Sequence, residues 1–287
     1  MGKSGEGLGS ESRLSGRMPR VAALYRHPVK GCTAEALDTL TILPDGRVAG
    51  DRVLGFRFAD CPAADDEWST KHEFVALVNM PALACLDVRY DDAHQRLRLA
   101  LDGHVLADEG LDDAGRKRLA AAMQEYVLGT ADNPLSDHPE RLPLRLVGDG
   151  VTPRFQDNAG GHTTLHGRAS LAALATHLAA PGLNEARFRS NVAVDGTEAW
   201  EEQRWLGHRV RIGGVEFEAV IPKPRCLATH ANPDTGVRDL PVMQELMKAY
   251  PGQPRPVFAI GLQTTSGGGV IRVGDRVSSS GNDSNRC

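Results

Sequence analysis

The sequence predicts a mainly β fold with some α, an α+β architecture in two parts. Three observations carry this. Residues 19–106 divide into about seven short apolar runs with turn residues between them, the spacing of a small barrel or sandwich. Residues 131–143 carry three prolines and mark a boundary, beyond which short runs resume. Helical spacing is confined to a few stretches that would sit around the sheets.

Taken in order, residues 20–25 read as a first strand ending at Arg26-His27-Pro28-Val29-Lys30-Gly31, a loop that puts Lys30 at a strand terminus. Residues 37–43 form a second strand, closed by a Pro44-Asp45-Gly46 turn. Asp51-Arg52 leads into an alternating strand at 53–58, residues 61–69 form an acidic surface loop, and 74–79 and 84–90 are two more strands. Residues 96–101 and 104–106 make a hairpin about Asp102-Gly103. Residues 112–128 are helical, with Leu119, Met123, Tyr126 and Val127 on one face. After a strand at 144–147 comes a helix at 170–178, striped by Leu171, Leu174 and Leu178. Strands follow at 191–194, 209–212 and 215–221, the last two joined by Gly213-Gly214. Asp239 is expected to cap a helix at 241–250. Residues 257–263 and 270–272 are closing strands, and the chain from Ser278 reads as a polar, disordered tail. The expected division is a flexible leader at 1–18, a first domain at 19–135, a second at 136–278 and a tail at 279–287.

Totals exclude several classes. A net charge of -4 argues against a general nucleic-acid binder. Five cysteines, odd in number, widely spaced and without CxxC, are no disulfide framework or zinc ribbon and fit a reducing, cytoplasmic setting. No apolar run reaches the roughly 20 residues of a membrane helix. Gly2-Lys3-Ser4 lacks the glycine and strand of a phosphate-binding loop. His162 and His166 lie four apart among glycines and threonines, without the acidic partner of a zinc helix. Cys85 reads as core, Cys61 as a loop thiol, Cys32 as core or pocket lining, and Trp200 and Trp205 as packing residues.

Residues 221–236 stand apart. Pro222 and Pro224 hold the backbone extended and deliver Arg225 and Cys226 to one place. A neighbouring cation favours the thiolate, so Cys226 is the candidate reactive atom, the alternative being a buried structural cysteine. Lys30, Arg52, Arg187, Arg189 with Asn191, and Arg225 all fall at strand ends. They read either as solvated rim charges or, together, as a grip on an anionic ligand such as a phosphate.

Four stretches resemble the MOSC family, the group related to the C-terminal domain of molybdenum cofactor sulfurase. They are Tyr25-Arg26-His27-Pro28-Val29-Lys30-Gly31, Gly50-Asp51-Arg52, Arg187-Phe188-Arg189-Ser190-Asn191-Val192, and Pro224-Arg225-Cys226 followed by Asn232-Pro233-Asp234-Thr235-Gly236. The ending Val270-Ile271-Arg272-Val273-Gly274-Asp275-Arg276-Val277 is similar as well. Their order is that of two-part members such as the amidoxime-reducing components and their bacterial counterparts. That likeness implies an N-terminal β-barrel domain followed by a MOSC β-barrel domain with a few peripheral helices.

The resemblance also implies a molybdenum cofactor of the molybdopterin type. Cys226 would be the protein's thiolate ligand to molybdenum, and soft sulfur suits that metal. Lys30 and Arg52 match positions that grip the phosphate and pyran side, and Arg189 and Asn191 match an Arg-x-Asn element lining the cofactor. Thr70 and Lys71 are a looser match to a further contact, as is His166, where relatives often have serine. Arg225 adjoins the ligand, and Asp234 matches an acidic residue near the metal, either supporting its shell or donating a proton. Ser190 stands where the family usually has proline, and Lys223 where some relatives have a second cysteine.

The implied activity is reduction of N-hydroxylated compounds (amidoximes, hydroxylamines, N-hydroxylated bases), with molybdenum taking the substrate oxygen. Electrons are expected from a separate donor protein carrying flavin, a ferredoxin-like cluster or a b-type haem. The alternative is a non-catalytic carrier of the cofactor or of sulfur.

Overall fold

A computed structural model describes residues 18–281. The first half contains β1 (Arg20–Arg26), β2 (Glu35–Leu37), β3 (Thr39–Ile42), β4 (Gly55–Arg57), β5 (Leu86–Asp91), β6 (Arg96–Leu101), β7 (His104–Gly110) and helix α1 (Asp113–Leu128). There follow β8 (Arg145–Val147), β9 (Thr163–Gly167), α2 (Arg168–His177), β10 (Val192–Asp195) and the short α3 (Glu201–Arg204). The chain ends on β11 (Arg209–Ile212), β12 (Val215–Pro224), α4 (Val242–Ala249), β13 (Val257–Thr264), β14 (Gly269–Arg272) and β15 (Val277–Ser279). The expected α+β class holds: strands dominate and a few helices pack outside them. Among the described residues no helix is long and apolar enough to cross a membrane.

The largest sheet has eight strands in the order β15-β11-β12-β13-β9-β10-β1-β2. Its order loops back on itself, because Arg20 at the start of β1 forms an antiparallel bridge with Arg276. The Val21 N–H donates to Asp275 O at 2.9 Å, and the Val277 N–H to Pro19 O at 2.8 Å. Trp205, Val210, Ile212, Phe217, Ile260 and Leu262 fill its inside. A meander, β5-β6-β7, carries a second core of Val88, Leu97 and Leu99, closed by Leu119, Met123 and Val127 of α1. The Asp112 carboxylate caps α1 by accepting from the Gly115 N–H at 2.9 Å. Leu174 of α2 and Leu246 of α4 cover Phe188 and Phe258, whose ring centroids are 3.9 Å apart.

Several strands found their partners far away in sequence. The expected strand at 37–43 is split: β2 pairs with β1, whereas β3 pairs with β14 near the other end of the chain. β1 pairs with β10, and β4 with β8. At 74–79 only Phe74 bridges, to Arg57, and the chain then turns. β9 has no sequence signal because Thr-Thr-Leu-His-Gly is buried on both faces, parallel to β10 and antiparallel to β13, so no alternation is needed. β12 runs on through Pro222 and Pro224 at irregular register positions, where the missing N–H groups are tolerated. Asp239 does not cap α4, whose N-cap is Pro241 without a side-chain bond. The Asp239 carboxylate instead accepts from Arg187 at 2.8 Å and Asn232 at 2.7 Å. Ser278 and Ser279, expected in a disordered tail, pair with Arg211 and Val210. Cys287 and the leader before Met18 lie outside the described residues.

Two glycines separate conformational from steric constraint. A Cβ at Gly148 (φ +98) would sit 2.1 Å from Val53 O, whereas one at Gly103 (φ +80) would meet nothing within 4 Å. Gly103→Ala is expected to cost about 1–2 kcal/mol, the left-handed penalty alone. Gly148→Ala is expected to cost clearly more, because backbone must move. Denaturant unfolding of the two variants checks the order.

Candidate functional site

The thiol of Cys226 is set by what brackets it. The Arg225 N–H donates to Pro256 O at 2.8 Å, pinning the end of β12 to the start of β13. Cys226 itself is extended (φ -131, ψ -179), and Leu227–His230 then turns in a 3-10 helix. Thr229 closes that turn on the Cys226 carbonyl, through its N–H at 3.0 Å and its Oγ1 at 3.0 Å. Arg187 holds the turn from outside, donating to His230 O at 3.0 Å and to Asp239 at 2.8 Å. The backbone at Cys226 is thus held on both sides, and its thiol is half-buried.

Cys226 lines a cleft of about 870 Å3, counted out to its mouth. Lys30, Arg52, Lys71, Arg189, Lys223 and Arg225 line the same cleft, and Asp157 is the acid among them. They come from different elements: the loops after β1, before β4 and after the acidic loop, the turn before β10, and β12 with its exit.

Lys30 is almost completely buried. Its ammonium donates to Phe155 O at 2.8 Å and Asp157 Oδ1 at 3.1 Å, and sits 5.5 Å from the centre of the Phe74 ring. Burial lowers its pKa, and Asp157 opposes that. In turn, desolvation would raise the Asp157 carboxyl, but Lys30 and Arg52 hold it well below the usual carboxylate range. Arg52 donates to Asp51 and, at 3.5 Å, to Arg189 O; Arg189 donates to Cys32 O. Both arginines are left-handed (φ 55 and 53), a conformation that costs roughly 1–3 kcal/mol and clusters at functional sites. Burial, and then Arg52, lowers Arg189 to about 10. Burial, and then Arg225 and Arg52, lowers Lys223 to about 8. The Arg225 guanidinium is spent on carbonyls, donating from Nε to Phe258 O at 2.7 Å and from Nη1 to Phe188 O at 2.8 Å.

Other expected residues sit elsewhere. Asn191 is buried behind the cleft wall and does not line it. Its Oδ1 accepts from the Thr164 N–H at 3.1 Å and Oγ1 at 2.9 Å, and its Nδ2 donates to Asp51 at 3.2 Å. Asn191 thus positions Thr164, which does line the cleft, and Asp51, which holds Arg52. His166 is likewise behind the wall, 3.3 Å from Glu185 and against the Phe258 ring; burial lowers its pKa. Thr70 is outside the lining although its neighbour Lys71 is in it. Asp234 is exposed in the turn, its N–H held by Asn232 Oδ1 at 2.8 Å, and does not line the cleft. Cys32 is wholly buried and outside the lining, its thiol pushed up to about 12 by burial. Cys61 is buried rather than a loop thiol, and Cys85 is only half-buried. Gln156, Asp157 and His162 were not legible as site residues. They reach the cleft through a loop between β8 and β9 that carries no motif.

The donor set fits an anionic group. Crowded, partly desolvated cations are stabilised by an anion that each can hydrogen-bond. The buried Gln156 Oε1 and His162 Nδ1 have no partner among the described residues and offer polar contacts to a ligand. Among the described residues no group of three His, Cys, Asp or Glu could hold a metal ion.

Residues 160–278 match the MOSC domain family. Mitochondrial amidoxime reducing component 2 of Rattus norvegicus is 37% identical over 99 residues, covering 31% of this chain and 28% of that one. The Homo sapiens protein of that name is 36% identical over 99 residues, 31% of this chain and 29% of its own. Molybdenum cofactor sulfurase of Bos taurus is 37% identical over 60 residues, 21% of this chain and 7% of its own. The aligned stretch thus spans less than a third of each of these relatives.

Lys223 titrates at about 8 when folded against 10.5 as its ordinary value. Between these values the unfolded chain binds more protons, so this lysine makes the unliganded fold more stable as pH rises from about 8 toward 10. Over the same window it loses its charge and holds an anion less well. Lys223→Met is expected to flatten both trends relative to wild type. Denaturant midpoints and pyrophosphate titrations at about pH 7 and about pH 9.5 check it.

Proposed function

We propose that the chain is a molybdenum-cofactor-dependent reductase of N-hydroxylated compounds. The MOSC domain and its amidoxime-reducing and cofactor-sulfurase relatives support a molybdenum-cofactor-related function. The observation that carries the finer reading is one thiol, Cys226, on a cleft whose other walls present cations from separate elements.

Lys30, Arg52, Lys71 and Arg189 would hold the cofactor's phosphate and pterin edge, and Cys226 would supply the protein's sulfur to the metal. When bound, the cofactor supplies the two-electron chemistry that removes oxygen from the substrate. The chain's own residues fix the thiolate, keep the anionic carrier oriented and exclude water from the floor. The Lys223 ammonium, lowered to about 8 by burial and then Arg225, lines the same cleft and would give a proton at Nζ to the departing oxygen. Asp234, the acid suggested by the family likeness, stays outside the lining, and Lys223 takes that role in this reading. Two electrons and two protons convert an amidoxime to an amidine and water. The electrons come from a separate flavin, iron–sulfur or haem protein.

Cys226→Ser is expected to keep the wild-type melting profile while losing molybdenum and at least about a thousandfold of benzamidoxime turnover with reduced viologen as donor. Full turnover by this variant removes the reading. A wild-type protein loaded with molybdenum yet inert toward N-hydroxylated substrates points instead to a carrier of cofactor or sulfur.

A further inference from the structure

A second cavity, about 1000 Å3 counted out to its mouth, shares Leu77, Arg187, Arg189 and Ala228 with the cleft, but Cys226 does not line it. Its exposed lining residues, Ala36 of β2, Arg89 of β5 and Ala186, mark the mouth. The buried His27, Leu77 and Ala231 mark the floor. Alanines at six separated positions, together with Leu77 and Pro233, make the walls mainly hydrocarbon.

Among the described residues no Asp or Glu lines this cavity, and its three arginines differ in what they have left to offer. Arg187 is spent on Asp239 and on the His230 carbonyl. Arg189 is spent on the Cys32 carbonyl and also faces the cleft. Tyr25 donates to Glu185 at 2.6 Å, and Arg168 neutralises Glu185 from 2.8 Å. Thr33 Oγ1 donates to Leu86 O at 2.6 Å. His27 is neutral, because burial and then Arg189 lower it to about 3. Arg89 is the exception. Its Nε lies 2.8 Å from Asp87 Oδ1, and its two terminal nitrogens have no partner among the described residues.

The charge around Arg89 is also unbalanced. Arg89 stands directly opposite Arg98 in the β5–β6 ladder, and like charges so placed destabilise a strand pair. Asp87 serves both, at 2.8 Å from Arg89 and 3.3 Å from Arg98. Two guanidinium groups thus share one carboxylate, which takes the Nε edge of Arg89 and leaves the other end of its fork open.

We propose that this second cavity binds an organic monocarboxylate, with its apolar body on the alanine walls and its carboxylate on the open fork of Arg89. A carboxylate matches a planar guanidinium with two parallel hydrogen bonds. It also supplies the negative charge that Arg89 and Arg98 lack between them. A small, strongly hydrated anion gains nothing from the hydrocarbon walls, and a cation meets only arginines. The site is separate from the cofactor cleft and does not depend on the reductase reading.

The test uses the purified full chain with benzoate, benzamide and benzamidinium, probes of one shape and different charge, in ligand-observed NMR titrations. Benzoate is expected to bind at least about tenfold more tightly than either of the others. Arg89→Gln, at an exposed position of β5, should remove at least about tenfold of the benzoate affinity with an unchanged melting temperature. Asp87→Asn, which takes away the competing carboxylate, should instead tighten benzoate at least about threefold. Ala36→Phe, in the mouth, should weaken benzoate and benzamide alike. Saturating pyrophosphate, added to fill the cationic cleft, should leave the benzoate affinity as it was. Equal binding of benzoate and benzamide overturns the proposal, as does a benzoate affinity that neither Arg89→Gln nor Asp87→Asn moves. Displacement of benzoate by pyrophosphate assigns the anion to the cofactor cleft and overturns it as well. None of these readouts depends on molybdenum or turnover, so failure here leaves the reductase reading untouched.

Discussion

One buried carboxylate organises the floor of the cleft. Asp51 is 2% exposed and accepts from the His27 N–H at 2.8 Å, from Asn191 Nδ2 at 3.2 Å and from Arg52. Burial would raise its pKa, but Arg52 and His27 together drive it far below the usual carboxylate range. Because a buried charge without partners costs several kcal/mol, Asp51 fixes all three groups at once. The end of β1, the start of β10 and the left-handed Arg52 converge on it. Arg52 is then within reach of the Arg189 carbonyl, so the second left-handed arginine is set from the same point.

A charge arrangement follows from that anchor. Lys30, Arg189, Lys223 and Arg225 are each pushed toward their neutral forms by burial, and the neighbouring cations Arg52 and Arg225 add to the effect. The cleft thus stores unfavourable electrostatic energy that an anion would relieve. Asp157 relieves part of it within the chain, through Lys30. The left-handed backbone at Arg52 and Arg189 is a second cost concentrated at the same place. Stability spent on a site rather than on the core is what a preorganised binding cleft requires.

The sequence by itself determined much of this. Period-two and helical patterns located the hairpin at residues 96–106, the helix after Asp112, the helix near residues 170–178 and the hairpin strands at 209–212 and 215–221, because each rests on contacts between near neighbours. Proline bracing singled out Cys226, and the short cationic motifs placed Lys30, Arg52 and Arg189, all of which share one cleft with it. Only the tertiary structure decided the rest. It joined β1 to β10 and β3 to β14 and put β9 at the centre of a sheet, because strand pairing is chosen by distant partners that no local window contains. It moved Asn191 and His166 behind the wall, and brought in Gln156, Asp157 and His162 from a loop without motifs. The physical reason is that a residue's type fixes the bonds it can make, whereas which bonds it does make depends on which backbone lies within about 3 Å of it once the chain has folded.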